Sequence, residues 1–348
     1  MESPPSLSST PPLSRGTVDP AAHRRTDEVW LKAAWSDPRT RVLVLEAGDP
    51  GTHGWQALQT RQSVVRVWDG PAGPELVFLP PQEAPAGEWY FLGQDAEERA
   101  YIAVRVHPGD PADTGNTADA ADGADPHQDG PWVNPAARRE GTRPASLRAV
   151  GPLLGARDSG LLTHAVALGN WHATHQFCPR CGAATRVRSA GHVRQCTVDG
   201  SEHFPRLDPA VIMLVHDPQP DVDRCLLAHN PQWPDNRYSV LAGYVEPGES
   251  LEQAVVREVA EEVGVAVTQP HYLGSQPWPF PRSLMLGFTA RAAGTTLRTD
   301  HTEIERVRWF TRAELATATQ QGTILLPGRS SIARGIIEHW YGGALPGE

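Results

Sequence analysis

Lysine is nearly missing from this chain. Lys32 is the only one among 348 residues, which carry 31 lysines and arginines together. A side-chain cation that meets a phosphate is therefore expected to be an arginine. Cysteine is scarce as well. Four in a chain of this length are too few for a disulfide framework and fit a reducing cytoplasm. No run of about 18 apolar residues occurs, so no membrane-spanning helix is expected. The opening MESPPSLSSTPPLSRG lacks an apolar core, so a secretory leader is not expected. Positive charge is outweighed, with a formal net charge of −10. That disfavours broad attraction to nucleic acid, although a local basic patch is still allowed.

What is present divides into regions, and the length suffices for two or three domains with a sizeable core. Residues 1–27 are rich in serine, proline and charge and read as a disordered tail. Residues 28–155 carry short apolar runs between turns, at 41–46, 63–68, 75–79, 88–92 and 101–106, and read as a β-rich domain. Within it, 108–130 is acidic, low in complexity and nearly free of large apolar groups, as expected of a flexible insertion. Residues 156–206 read as a helix, about 157–175, followed by a cysteine-bearing ribbon. Residues 207–348 read as a separate α/β domain, with strands at 210–216, 224–228, 284–292 and 307–310 and helices near 312–318 and 330–341. Cys225 falls in a buried strand pattern and suits core packing. The fold class is multidomain α+β and α/β.

The densest chemistry lies in GYVEPGESLEQAVVREVAEEVGV, residues 243–265. Gly243 and Pro247-Gly248 break regular structure. Ser250 and Gln253 form a capping box, so a helix starts at Leu251. Gly264 is its C-cap. Glu258, Glu261 and Glu262 stand at i, i+3 and i+4 and project from one face. Like charges so placed destabilise a helix unless a cation offsets them. Magnesium and manganese prefer oxygen ligands and bridge carboxylates to phosphates. Arg257, four before Glu261, can orient it. An acidic solvated face is the competing interpretation.

Gly243, Glu249, Arg257, Glu258, Val259, Glu261, Glu262, Gly264 and Val265 occupy every fixed position of the Nudix box, which this segment closely resembles. The resemblance implies metal-dependent hydrolysis of a nucleoside diphosphate linked to another group. It also implies a C-terminal α/β/α sandwich with this helix at its active site.

Ahead of the box, Cys178-Pro-Arg-Cys181 makes a zinc-knuckle turn, and Cys196 follows with Asp199 where a four-cysteine ribbon would place its last thiol. Three thiolates with Asp199 can hold a structural zinc; His203 is the other candidate for the fourth ligand, and a ribbon that has lost its metal is the alternative. After the box, Ser275-Gln-Pro-Trp-Pro-Phe-Pro-Arg-Ser283 sets a stiff extended path suited to hold a flat ring. A rigid turn with Trp278 and Phe280 in the core would read the same way.

This stretch resembles the SQPWPFPxS signature of the NAD(H) pyrophosphatase branch, and a β-rich N-terminal domain with a zinc ribbon agrees with it. The resemblance implies cleavage of NADH or NAD to nicotinamide mononucleotide and AMP, removal of NAD caps from RNA by some members, and a homodimer. By position it implies Glu258, Glu261, Glu262 and Glu303 as ligands of Mg2+ or Mn2+, with Glu305 a nearby alternative to Glu303. Glu262 or Glu261 would be the catalytic carboxylate, supported by Arg257. Phe204, Tyr244, Gln276, Ser283, Glu303 and Ala333 would contact substrate. A Nudix enzyme of another dinucleotide or ADP-ribose, and a non-catalytic nucleic-acid-binding regulator, are the rival readings.

Overall fold

The computed structural model describes residues 6–7, 9–46, 63–106, 134–218, 222–299 and 302–346. The acidic segment 108–130 lies outside them. Two compact units result: one of Met1–Ser14, Leu207–Trp278 and Ser283–Glu348, the other of Arg15–Arg206 and Pro279–Arg282. No helix among the described residues is long and apolar enough to cross a membrane.

The second unit opens with the helix α1 (Glu28–Ser36) and holds a six-stranded sheet. Its strands are β1 (Arg41–Glu46), β2 (Val64–Gly70), β3 (Gly73–Leu76), β4 (Glu88–Gln94), β5 (Ala100–Val106) and β6 (Thr142–Ser146). The order is β3-β2-β1-β5-β4, with β6 paired to β2. A short helix α2 (Leu147–Val150) leads to the long helix α3 (Ala156–Thr174). The three-stranded ribbon β7 (Thr185–Arg188), β8 (Val193–Cys196) and β9 (Glu202–His203) completes the unit.

Inside it, His172 of α3 is fully buried and stacks flat on Tyr90, with ring centroids 4.6 Å apart. Its Nε2–H donates to the Gly191 carbonyl at 2.8 Å, and its Nδ1 accepts from Arg194 at 2.9 Å. Both nitrogens are thus satisfied only in the neutral ring. Burial pushes His172 down to about 4, and does the same to His192, whose Nε2 bonds the Phe91 carbonyl. An unfolded histidine titrates near 6.5. Between those values the unfolded chain binds more protons, so stability is lost as pH falls from about 6.5 towards 4. One such ring costs on the order of 3 kcal/mol over that window. The urea midpoint, followed through neighbouring Trp171, should fall from pH 7 to pH 5. It should fall less steeply in His172→Asn; parallel slopes would remove this ring from the account.

The first unit is a sheet between two helical layers. Its strands are β10 (Asp208–Pro218), β11 (Asp223–His229), β12 (Leu241–Tyr244), β13 (Val267–Trp278), β14 (Ser283–Ala292) and β15 (Arg306–Thr311). The order is β13-β14-β10-β11-β15, with β12 against β10. Strand period sends β10 side chains alternately to two cores. Val211, Met213 and Val215 pack beneath the helix α4 (Leu251–Val263) with Ala254, Val255, Val259 and Val263. Ile212 and Leu214 face the helices α5 (Arg312–Gln320) and α6 (Ile332–Tyr341), meeting Leu315, Ile336 and Ile337. This is the α/β/α sandwich, and Cys225 sits fully buried in the second core.

Two segments differ from expectation. Residues 9–27, read as a disordered tail, contain 3-10 turns at Pro12–Ser14 and Ala22–Thr26, and bury Leu13 and Ala21. Leu7 N–H donates to the Leu273 carbonyl at 3.2 Å, and Ser14 Oγ to that of Ser275 at 2.9 Å. The stiff loop at 275–283 is instead a hairpin end. Gln276 pairs Met285 and Trp278 pairs Ser283, with only Pro279–Arg282 between the strands. The Phe280–Pro281 peptide is cis.

Candidate active site and metal centre

β12 and α4 build the acidic centre. Ser250 Oγ accepts from the Gln253 N–H while Gln253 Oε1 accepts from the Ser250 N–H, so the capping box fixes where α4 begins. Gly264, left-handed at φ 68°, ends it. Between these stops the carboxylates fall as their spacing requires. Glu258 and Glu262 are buried, and the Glu261 side chain is 61% exposed.

Arg257 organises the cluster. Its Nε and Nη2 donate to the two oxygens of Glu249, both at 2.8 Å, a bidentate clamp. Its Nη1 reaches Glu258 at 2.8 Å and Glu261 at 3.1 Å, and Nη2 also donates to the Tyr244 carbonyl at 2.9 Å. One guanidinium therefore ties the loop, the helix and the neighbouring strand together. The side-chain bond from Arg257, with the Glu246 N–H, holds Glu249 at about 2. Glu258 moves the other way. Burial raises it against the pull of Arg257, and the charges of Glu261 and Glu303 add to the rise. Glu303 is near enough for its charge to act on Glu258, whereas Glu305 turns to His229, 3.3 Å away, and to Arg306.

The remaining sequence-derived positions are spread more widely. Tyr244 is exposed, and its hydroxyl lies 3.4 Å from Ser283 Oγ. Ser283 and Ala333 are buried, the latter in the first turn of α6, where its N–H donates to Ser331. Gln276 is fully buried and its Nε2 donates to the Ser330 carbonyl at 2.8 Å. Its side chain thus bridges β13 to the α6 entry, a contact no local sequence signal announces. Phe204 is exposed in the other unit. Glu249, a fixed position of the box just ahead of the first turn of α4, reaches the carboxylate cluster through Arg257.

In the ribbon, the ligand atoms of Cys178, Cys181, Cys196 and Asp199 lie within 4.8 Å of one another. Cys181 and Cys196 Sγ are 3.5 Å apart. Backbone N–H groups of Arg180, Val198 and Asp199 point at the Cys178 and Cys196 sulfurs, as in a thiolate turn. Asp199 accepts from the Ser201 hydroxyl, and His203 Nε2 stands 3.3 Å beyond that hydroxyl.

Family models match three successive parts of the chain. A NUDIX domain covers 206–328, an NADH pyrophosphatase zinc ribbon domain 173–204, and an NADH pyrophosphatase-like rudimentary NUDIX domain 35–171. The protein named NAD-capped RNA hydrolase NudC of Mycobacterium bovis is 38% identical over 350 residues, 96% of both chains. The chain belongs to the Nudix hydrolase family, in its NADH pyrophosphatase branch. The Mycobacterium tuberculosis NudC matches this Nudix hydrolase at the same identity and coverage. Human NAD-capped RNA hydrolase NUDT12 is 39% identical over 196 residues, 53% of this chain and 42% of its own.

Proposed function

We propose that this Nudix hydrolase splits the diphosphate of NADH or NAD into nicotinamide mononucleotide and AMP, and that it removes NAD caps from RNA by the same reaction. The observation that carries the reading is the carboxylate set of Glu258, Glu261 and Glu262 on one helix face, with the charge of Glu303 acting on Glu258. Acids gathered around a single arginine fit divalent cations, because the repulsion of like charges crowded on one helix face is offset by added positive charge. Glu258, Glu261, Glu262 and Glu303 would hold Mg2+ or Mn2+. Such ions, held there, would supply charge neutralisation for the diphosphate and a lowered pKa for a water.

The protein's own part is positioning and proton transfer. Arg257 fixes the directions of Glu249, Glu258 and Glu261. Glu262 takes the water's proton, with Glu261 the alternate base. Tyr244 and Phe204 offer exposed rings for base stacking, and Ser283, Gln276 and Ala333 shape the polar end. The NAD-linked names of relatives that match 96% of their length, together with the SQPWPFPxS stretch, favour this substrate over ADP-ribose. Retention of every box carboxylate argues against a non-catalytic nucleic-acid-binding regulator. Incubation with NADH and magnesium or manganese should release AMP and the mononucleotide, and a capped transcript at equal concentration should be decapped. Intact dinucleotide in both metals would sink the proposal.

The ribbon fits zinc through Cys178, Cys181, Cys196 and Asp199, since three sulfurs and a carboxylate already converge. Asp199 lies within the cluster, which favours it over His203 as fourth ligand. Metal analysis should return one zinc per chain. Asp199→Ala should release it at a lower chelator concentration, by about 10–100-fold, while Asp199→Cys should retain it more firmly. The four free cysteines suit a reducing cytoplasm, and a homodimer would appear as twice the chain mass in light scattering.

A further inference from the structure

The rudimentary Nudix-like unit holds a cavity of about 460 Å³, remote in sequence from the box. β1 and β5, which run parallel with Arg41 opposite Tyr101, form one wall. β3 and the start of α3 close it. Leu76 N–H donates to Asp158 Oδ2 at 2.9 Å, which pins that strand to the helix.

The lining joins arginines to rings. Arg41, Arg99, Arg139 and Arg157 all face the cavity, with Glu75 the only acid lining it. Arg99 is matched by Asp95 and Glu97, and Arg157 by Asp158. Among the described residues, Arg41 and Arg139 make no ion pair, and neither does Glu75; Arg41 reaches only the Pro38 carbonyl, at 3.5 Å. Two unpaired guanidiniums against one unpaired carboxylate, in a protein of net charge −10, mark a place for an anion. The floor is aromatic. Phe78 and Tyr101 meet edge to face at 5.7 Å, the Arg157 guanidinium lies 5.8 Å from the Phe78 ring centre, and Tyr101 is fixed by its hydroxyl bond to Asp95.

We propose that this cavity binds a nucleoside phosphate, at a site separate from the carboxylate helix. Arg41 and Arg139 take the phosphates, bidentate geometry being what guanidinium offers. Phe78 and Pro80 hold the base, and Glu75 accepts from a ribose hydroxyl or an exocyclic amine. The volume suits one nucleotide. The box helix reaches phosphate through acids and metal; in this unit α3 offers one carboxylate, Asp158, already engaged, and arginines meet the anion directly.

Photolabelling of the full chain with 8-azido-ADP, without added divalent ions, tests the site. Labelled peptides should come from 75–101 and 139–157. Arg41→Ala/Arg139→Ala should lower that labelling at least about tenfold, and Arg139→Lys should lower it less, since the charge stays while the bidentate fork is lost. Melting temperature and NADH turnover should stay unchanged in the double variant. ADP should compete at least about tenfold better than pyrophosphate, because the rings contribute as well as the arginines. Label confined to 207–348, undiminished labelling in the double variant, or equal competition by pyrophosphate would each overturn the assignment. Labelling is read independently of hydrolysis, so an inactive enzyme would leave it standing.

Discussion

Glu262→Gln lowers NADH turnover by about 10²–10⁴-fold while the protein folds and melts as before. Glu258 and Glu262 are the buried pair of the cluster, one turn apart on α4, and Arg257 directs its Nη1 to Glu258 and Glu261. The amide keeps the shape of the side chain but can neither carry the negative charge nor accept the proton of water. The loss should fall on kcat, with a smaller rise in the metal concentration needed for half activity. Glu252→Gln, an acid in the first turn of the same helix, is the matched control and should cost little. A folded Glu262→Gln enzyme holding more than a tenth of wild-type turnover would remove Glu262 from the proton path and leave Glu261 to be tried.

Gly243→Ala should be nearly as damaging, through one methyl group. A Cβ built on Gly243 would overlap the carboxylate carbon and both oxygens of Glu258. The backbone there is ordinary, so the requirement is for space. The Glu258 carboxylate must move, and Arg257, bonded to it and to the carbonyl of the next residue, Tyr244, must follow. A displacement of about 1 Å in a catalytic group costs about 10²-fold. The readout is turnover against magnesium concentration beside thermal melting. Near-normal activity would show that the cluster tolerates a shifted Glu258.

The box helix was legible because its determinants are local. Ser250, Gln253 and Gly264 set both ends, and period 3.6 places the carboxylates, so nothing distant had to be known. The two buried faces of β10 were legible as an apolar run. β12 and β13 were not. β12 is four residues ending in Gly243 and Tyr244, a pair that reads as a turn until Val211 is seen opposite Gly243. β13 carries Pro270, Gly274 and Pro277 and two irregularities of register, which erase the alternation that marks a strand. The order within 9–27 rests on single long-range contacts such as Leu13 burial, which a serine- and proline-rich composition conceals. The Gly243 requirement needed the tertiary arrangement: the motif gives the residue types, but not which atoms come to share a space.

Gly243 sits under Glu258 only because β12 lies against β10 in one alignment, with Ala210 facing Tyr244, Val211 facing Gly243 and Ile212 facing Ala242. Both faces of β10 are oily, so polarity alone would not punish a slip by one place. Such a slip would bring Ala242 or Tyr244 beneath the acid and jam it. Transplanting the acidic helix into another scaffold would therefore carry no activity unless the strand beneath came too, in step, with its missing side chain at the right rung.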